Sequence, residues 1–214
     1  MMNKIWFCVA MTIALSACKG KPKTLPIYGP HEPVERIVDG NKIIDTVYQT
    51  IPAFRFINQD SIFISNHNFD GKIYVADFFF TSCPSICPVM HRNLMKVYEK
   101  YKGNDQVMLL SHTIDYKYDV PHVLKKYAQK LGVDGSQWQF VRGTKDSVYT
   151  LAKRNYLVSV GEDGKAPGGY VHQGYLVLID KEKRVRGAYD GTDSKQVDQL
   201  LNDMDILIVE EKSK

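Results

Sequence analysis

The sequence predicts an α/β domain in which a central mixed sheet is flanked by helices, with an N-terminal hairpin extension, and three observations carry that prediction. Between Ile73 and Val141, apolar runs of strand length alternate with segments whose apolar residues recur every three or four positions. The first run, Ile73 to Phe80, is broken only by Asp77, as in a strand covered on both faces. Near the C-terminus the alternation gives way to two strands, Tyr175 to Asp180 and Arg184 to Tyr189, flanking Lys181-Glu182-Lys183 as an antiparallel hairpin.

Residues 1–17 read as a signal peptide, with a positive Lys4, an apolar stretch from Ile5 to Leu15 and small residues before a cysteine. Leu15-Ser16-Ala17-Cys18 resembles the lipobox of bacterial lipoproteins, which would make Cys18 a lipidated first residue and the domain exported and membrane-anchored. Residues 18–36 are proline- and lysine-rich with little periodicity, and are expected to form an extended tether in which His31 is solvated. The folded domain is expected over residues 37–214.

Ile37 to Ile44, punctuated by Asp39-Gly40-Asn41, reads as a small hairpin. Ala53 to Ile57 and Ser61 to Ile64 make a second one, and His67 reads as a turn residue. After the strand from Ile73, Met90, Leu94, Val97, Tyr98 and Tyr101 mark a helix with Pro88 in its first turn, where a missing N–H costs nothing. Val107 to Thr113 is a second strand. Asp119 is placed to cap the next helix, with Pro121 in its first turn, and Gly132 closes it. Trp138 to Val141 is a third strand, Thr144 caps a short helix through Ala152, and Tyr156 to Val160 reads as a strand. Gly161 to Gly169 matches no phosphate-binding glycine pattern and reads as a flexible loop. Ser194 is placed to cap a last helix carrying Val197, Leu200, Leu201, Met204 and Leu207.

A chain of 214 residues with 24% charged residues can bury a sizeable core and is not disordered throughout. The formal net charge of +4, without a dense Lys/Arg tract, gives no support for nucleic-acid binding. Of four cysteines, Cys8 leaves with the leader and Cys18 would be modified, so Cys83 and Cys87 remain in the domain. A static disulfide across so short a loop would stabilise little, which points to a working pair.

That pair stands where a buried strand hands over to a helix N-terminus. Free N–H groups and the helix dipole favour a thiolate there, and a thiolate is both nucleophile and metal ligand. The C-x-x-x-C spacing can close a disulfide or converge on one soft cation. His91, four residues beyond Cys87, is a local candidate for a third ligand. Met90 fits the apolar face of the helix better than a metal site, and Asp77, if buried, requires a partner.

Phe78-Phe79-Phe80-Thr81-Ser82-Cys83-Pro84-Ser85-Ile86-Cys87-Pro88 resembles the signature of the Sco/SenC family, membrane-tethered thioredoxin-like proteins associated with copper delivery to cytochrome oxidase. The resemblance extends to Ser111-His112-Thr113-Ile114-Asp115 with Asp119-Val120-Pro121, to Trp138-Gln139-Phe140 and to Tyr170-Val171-His172-Gln173, covering about Ile51 to Met204. It implies a thioredoxin-like fold and a Cys83, Cys87 and His172 copper site for Cu(I), Cu(II) or both. The two thiols would also form a reversible disulfide. Many family members carry an acidic residue before the histidine, where this chain has Val171.

The implied partner is the copper-receiving subunit of cytochrome c oxidase, with a thioredoxin-like reductant as a further one. The rival function is a thiol-disulfide reductase that keeps the acceptor's cysteines reduced. A thiol peroxidase is a weaker third reading, since Arg92 is the only arginine near the cysteines in sequence. Zinc could accept the same three ligands plus water.

Overall fold

The computed structural model describes residues 24–213, so the signal peptide, Cys8 and Cys18 lie outside the described residues. A seven-stranded sheet forms the centre. Its strands are β3 (Arg55–Asn58), β4 (Phe63–Ser65), β5 (Ile73–Phe79), β6 (Val107–Thr113), β7 (Trp138–Arg142), β10 (Tyr175–Ile179) and β11 (Val185–Asp190), in the spatial order β11-β10-β5-β6-β7-β3-β4. β5, β6 and β7 run parallel; the strands outside them on both sides are antiparallel. Every residue of β5 and β6 is buried, as the apolar runs require.

Helix α1 (Cys87–Lys100) connects β5 to β6, and α2 (Pro121–Leu131) connects β6 to β7. Both lie on the face to which Asp77 and Phe79 point, since Phe79 touches His91 of α1 and Tyr127 of α2. α3 (Lys145–Thr150) runs on into a π-helical turn, Leu151–Tyr156, that covers the opposite face: Tyr156 packs on Phe78 and its hydroxyl meets that of Tyr74 at 3.1 Å. Thr144 caps α3 by accepting the Ser147 N–H. The long C-terminal helix α4 (Ser194–Lys212) packs beside α1 and buries Val197, Leu200, Met204 and Leu207.

Several local expectations are corrected. The hairpin is longer than its apolar tip: β1 (His31–Val38) pairs with β2 (Asn41–Tyr48) in continuous register, with His31 leaning on Tyr48. The tether is correspondingly shorter. Leu25 is buried, Tyr28 bridges Val185, and the buried Arg186 guanidinium donates to the Leu25 and Pro26 carbonyls at 2.6 and 3.0 Å while pairing with Asp180 and Glu210. Tyr156 is not in a strand. It ends the π-helical turn, Leu157 takes a left-handed φ of 60°, and the strand β8 is Val160–Glu162. α2 has no side-chain cap, and the cap of α4 is Asp193, one residue before Ser194.

The glycine-rich stretch is an ordered turn: β8 pairs with β9 (Tyr170–His172), and Pro167–Gly169 forms a 3-10 turn between them. His67 sits in a short 3-10 turn, Asn66–Phe69, paired with Asp70. Among the described residues no helix is long and apolar enough to cross a membrane.

Candidate metal centre

The site lies at the carboxyl ends of the parallel strands, where β5 runs into Phe80 and the loop to α1. Cys87 opens α1 and Pro88 follows it in the first turn, with no side chain capping the helix. Cys83 sits one loop earlier, its N–H donating to the Phe80 carbonyl at 3.2 Å. Cys83 is 8% exposed and Cys87 1% exposed, and neither is in a disulfide.

The β8–β9 hairpin carries His172 over this corner. Cys87 Sγ lies 3.1 Å from His172 Nε2, and the ligand atoms of Cys83, Cys87 and His172 all lie within 4.8 Å of one another. His172 Nδ1–H donates to the Gln173 carbonyl at 3.1 Å. That bond keeps the proton on Nδ1 and leaves the Nε2 lone pair facing the sulfurs.

The two thiols share one proton. The Cys87 thiol donating to Cys83, with the backbone N–H groups of Cys87 and Ser85, holds Cys83 below the ordinary thiol range against the opposing effect of burial. The same sharing, reinforced by burial, pushes Cys87 up. The arrangement therefore favours the thiolate on Cys83 over Cys87.

His91 is not a third ligand. Its Nε2 meets Asp77 Oδ2 at 2.9 Å and its Nδ1 meets the Tyr127 hydroxyl at 2.8 Å, so both ring nitrogens are occupied. Asp77 also accepts from the Ser111 hydroxyl, which in turn accepts from Trp138 Nε1 at 2.8 Å. This chain of bonds supplies the partner that a carboxylate inside a buried strand requires. Met90 is fully buried and belongs to the core.

Four further residues hold the corner in place. Asp119 accepts the Thr81 N–H at 3.0 Å and the hydroxyls of Thr81 and Thr113, tying the loop before Cys83 to the end of β6. Asp115 accepts the Tyr170 hydroxyl at 2.9 Å, which fixes the start of β9. Phe80 packs on Tyr170 and stands edge-on to His172. Gly168, at a φ of 81°, has no Cβ because one would lie 2.6 Å from the Phe80 ring. The Asp115 and Asp119 signal was present in the matched motifs, but Asp119 reads locally as a cap.

The SCO1/SenC family model matches residues 45–207. This chain belongs to the SCO1/SenC family. A SCO1/SenC family lipoprotein from Bacillus anthracis is 29% identical, with a TM-score of 0.68 over 74% of this chain and 95% of its own. BsSco, described as a member of the Sco family of cytochrome c oxidase assembly proteins and as having a disulfide switch, is 25% identical, with a TM-score of 0.65 over 74% of this chain and 92% of its own. Yeast Sco1, solved with copper bound, shares the fold at 23% identity and a TM-score of 0.56, over 73% of this chain and 88% of its own. The thioredoxin-like fold of these relatives is the fold of this chain.

Proposed function

We propose that this Sco protein is a copper metallochaperone: Cys83, Cys87 and His172 take up one copper ion, which the domain passes to the copper-receiving subunit of a cytochrome c oxidase during assembly. The observation that carries the reading is the convergence of two sulfurs and one imidazole nitrogen within 4.8 Å. Soft thiolates favour Cu(I), and the nitrogen lets Cu(II) be held as well. Zinc would accept the same donors, and copper in the yeast relative supports copper as the cargo here.

Each residue has a distinct task. Cys83 enters as a thiolate, Cys87 yields the shared proton when the ion binds, and the Gln173 carbonyl keeps His172 in the tautomer that presents Nε2. Val171 stands before His172 and supplies no carboxylate, so the acceptor for the Nδ1 proton is the Gln173 backbone carbonyl.

The leader pattern and the lipoprotein description of the Bacillus anthracis relative support export and anchoring through Cys18, with the domain facing the periplasm or the outer side of the cytoplasmic membrane. A second reading is a thiol-disulfide reductase that keeps the acceptor's cysteines reduced, itself recycled by a thioredoxin-like reductant. It is supported by the charged, more accessible Cys83 beside a buried Cys87.

The copper-loaded chain, mixed anaerobically with the apo copper-receiving domain of the oxidase, should transfer its copper to that domain, and the Cys87→Ser variant should transfer none. Reduction of an oxidised acceptor without copper movement would favour the reductase.

A further inference from the structure

A groove of about 540 Å³ runs from Cys83 between α1 and α2. α1 contributes Pro88, Arg92 and Met95, spaced four and three residues apart and so on one helical stripe; α2 contributes Tyr127, Lys130 and Leu131. The wall at Tyr127 is fixed from behind, because its hydroxyl bonds to His91 and His91 to Asp77.

Cys83 opens onto this groove, and Cys87 and His172 are not among its lining residues. Arg92 and Lys130 are exposed, their side chains take part in no hydrogen bond or ion pair among the described residues, and none of the lining residues is acidic. The groove therefore offers an apolar floor, two uncompensated cations and one reachable sulfur.

We propose that the α1–α2 groove is the client-docking site and that its occupant is a short extended segment with acidic and apolar residues flanking a cysteine. The inference rests on the delivery or reductase reading for the identity of the client, and adds its chemistry. In the reductase direction the Cys83 thiolate attacks a client disulfide, a client–Cys83 disulfide forms, the client's own disulfide breaks and its other sulfur leaves as a thiolate that takes up a proton. Cys87, its proton lost to solvent, then attacks Cys83 Sγ, the Cys83–Cys87 bond forms and the client cysteine leaves as a thiolate. The reverse of this last exchange, a peptide thiolate attacking Cys83 in the oxidised pair, passes through the same mixed disulfide. In the copper form, the client thiol loses its proton as its sulfur binds the ion, and Cys83, released from the ion, takes a proton up.

The test uses the oxidised full chain and two synthetic decapeptides, each with one central cysteine and one leucine, flanked by two aspartates in one and by two lysines in the other. Exchange rates are measured at low ionic strength. Steering by two cations should make the acidic peptide react about tenfold faster than the basic one, with the preference shrinking in 1 M salt. An Arg92→Glu, Lys130→Glu protein should prefer the basic peptide. Equal rates for the two peptides, or an acidic preference that survives the charge reversal, would overturn the proposal. Copper titration of the wild-type chain is independent of this comparison, so failure of the metal reading and failure of the docking site are told apart.

Discussion

His112 gives a prediction with a magnitude that follows from its surroundings. It lies in β6 opposite Phe78, stacked on that ring at 5.1 Å and 16°, and it meets Phe54, Phe56 and Tyr156 at 5.5 to 5.9 Å. Neither ring nitrogen has a hydrogen-bond partner among the described residues. Burial lowers its pKa from 6.5 to about 3, against a weaker opposing pull from Asp77. The unfolded chain therefore binds a proton that the folded chain refuses. Stability from this group is fully present above pH 6.5 and is lost as the pH falls toward 3. At about 1.4 kcal/mol per unit, the loss between pH 7 and pH 4 is about 3 kcal/mol, a large part of a typical domain's stability.

His112→Phe places a ring of similar shape in the same aromatic cage and removes the titration. It should also stabilise at pH 7, by about 1 to 3 kcal/mol, because two unpaired buried nitrogens disappear. Urea denaturation of both metal-free proteins at pH 7 and pH 4, followed by circular dichroism, measures the difference. Equal acid sensitivity in wild type and variant would refute the reasoning.

Three other perturbations have defined outcomes. His91→Ala should leave copper stoichiometry unchanged but destabilise the fold by about 3 to 5 kcal/mol, because it strands the buried Asp77 carboxylate; thermal melts and a copper titration read the two effects separately. Gly168→Ala, with its Cβ driven against Phe80, should displace β9 and weaken the nitrogen coupling of His172 in the Cu(II) electron paramagnetic resonance spectrum, as His172→Ala does outright. Arg186→Met removes the guanidinium that joins Asp180 and Glu210 to the Leu25 and Pro26 carbonyls, so limited proteolysis should cut near Leu25 at protease levels that leave the wild type intact.

The cysteine corner was legible because its signals are local. A doubly covered strand, two cysteines and Pro88 follow one another within sixteen residues, Ile73 to Pro88, and each constrains the next. His172 lies 85 residues beyond Cys87, and only the family resemblance brought them together. Asp119 before Pro121 has the local chemistry of a cap, but the Thr81 and Thr113 hydroxyls compete for the carboxylate and win it. Tyr156 has a strand-former's side chain, yet it gains more by burying against Phe78 and meeting Tyr74. The full length of the β1–β2 hairpin was hidden for a different reason. Nearly all of it is exposed on both faces, so no alternation of apolar and polar residues marks its strands.

The central claim is that Cys83, Cys87 and His172 form one copper site. It is tested most directly by anaerobic copper titration of the reduced chain with Cys83→Ser, Cys87→Ser and His172→Ala in parallel, followed by absorption spectroscopy of the Cu(II) form. One copper per chain is predicted, with thiolate-to-Cu(II) charge transfer lost or strongly shifted in each variant. Wild-type binding that zinc displaces, or a His172→Ala protein indistinguishable from wild type, would contradict it.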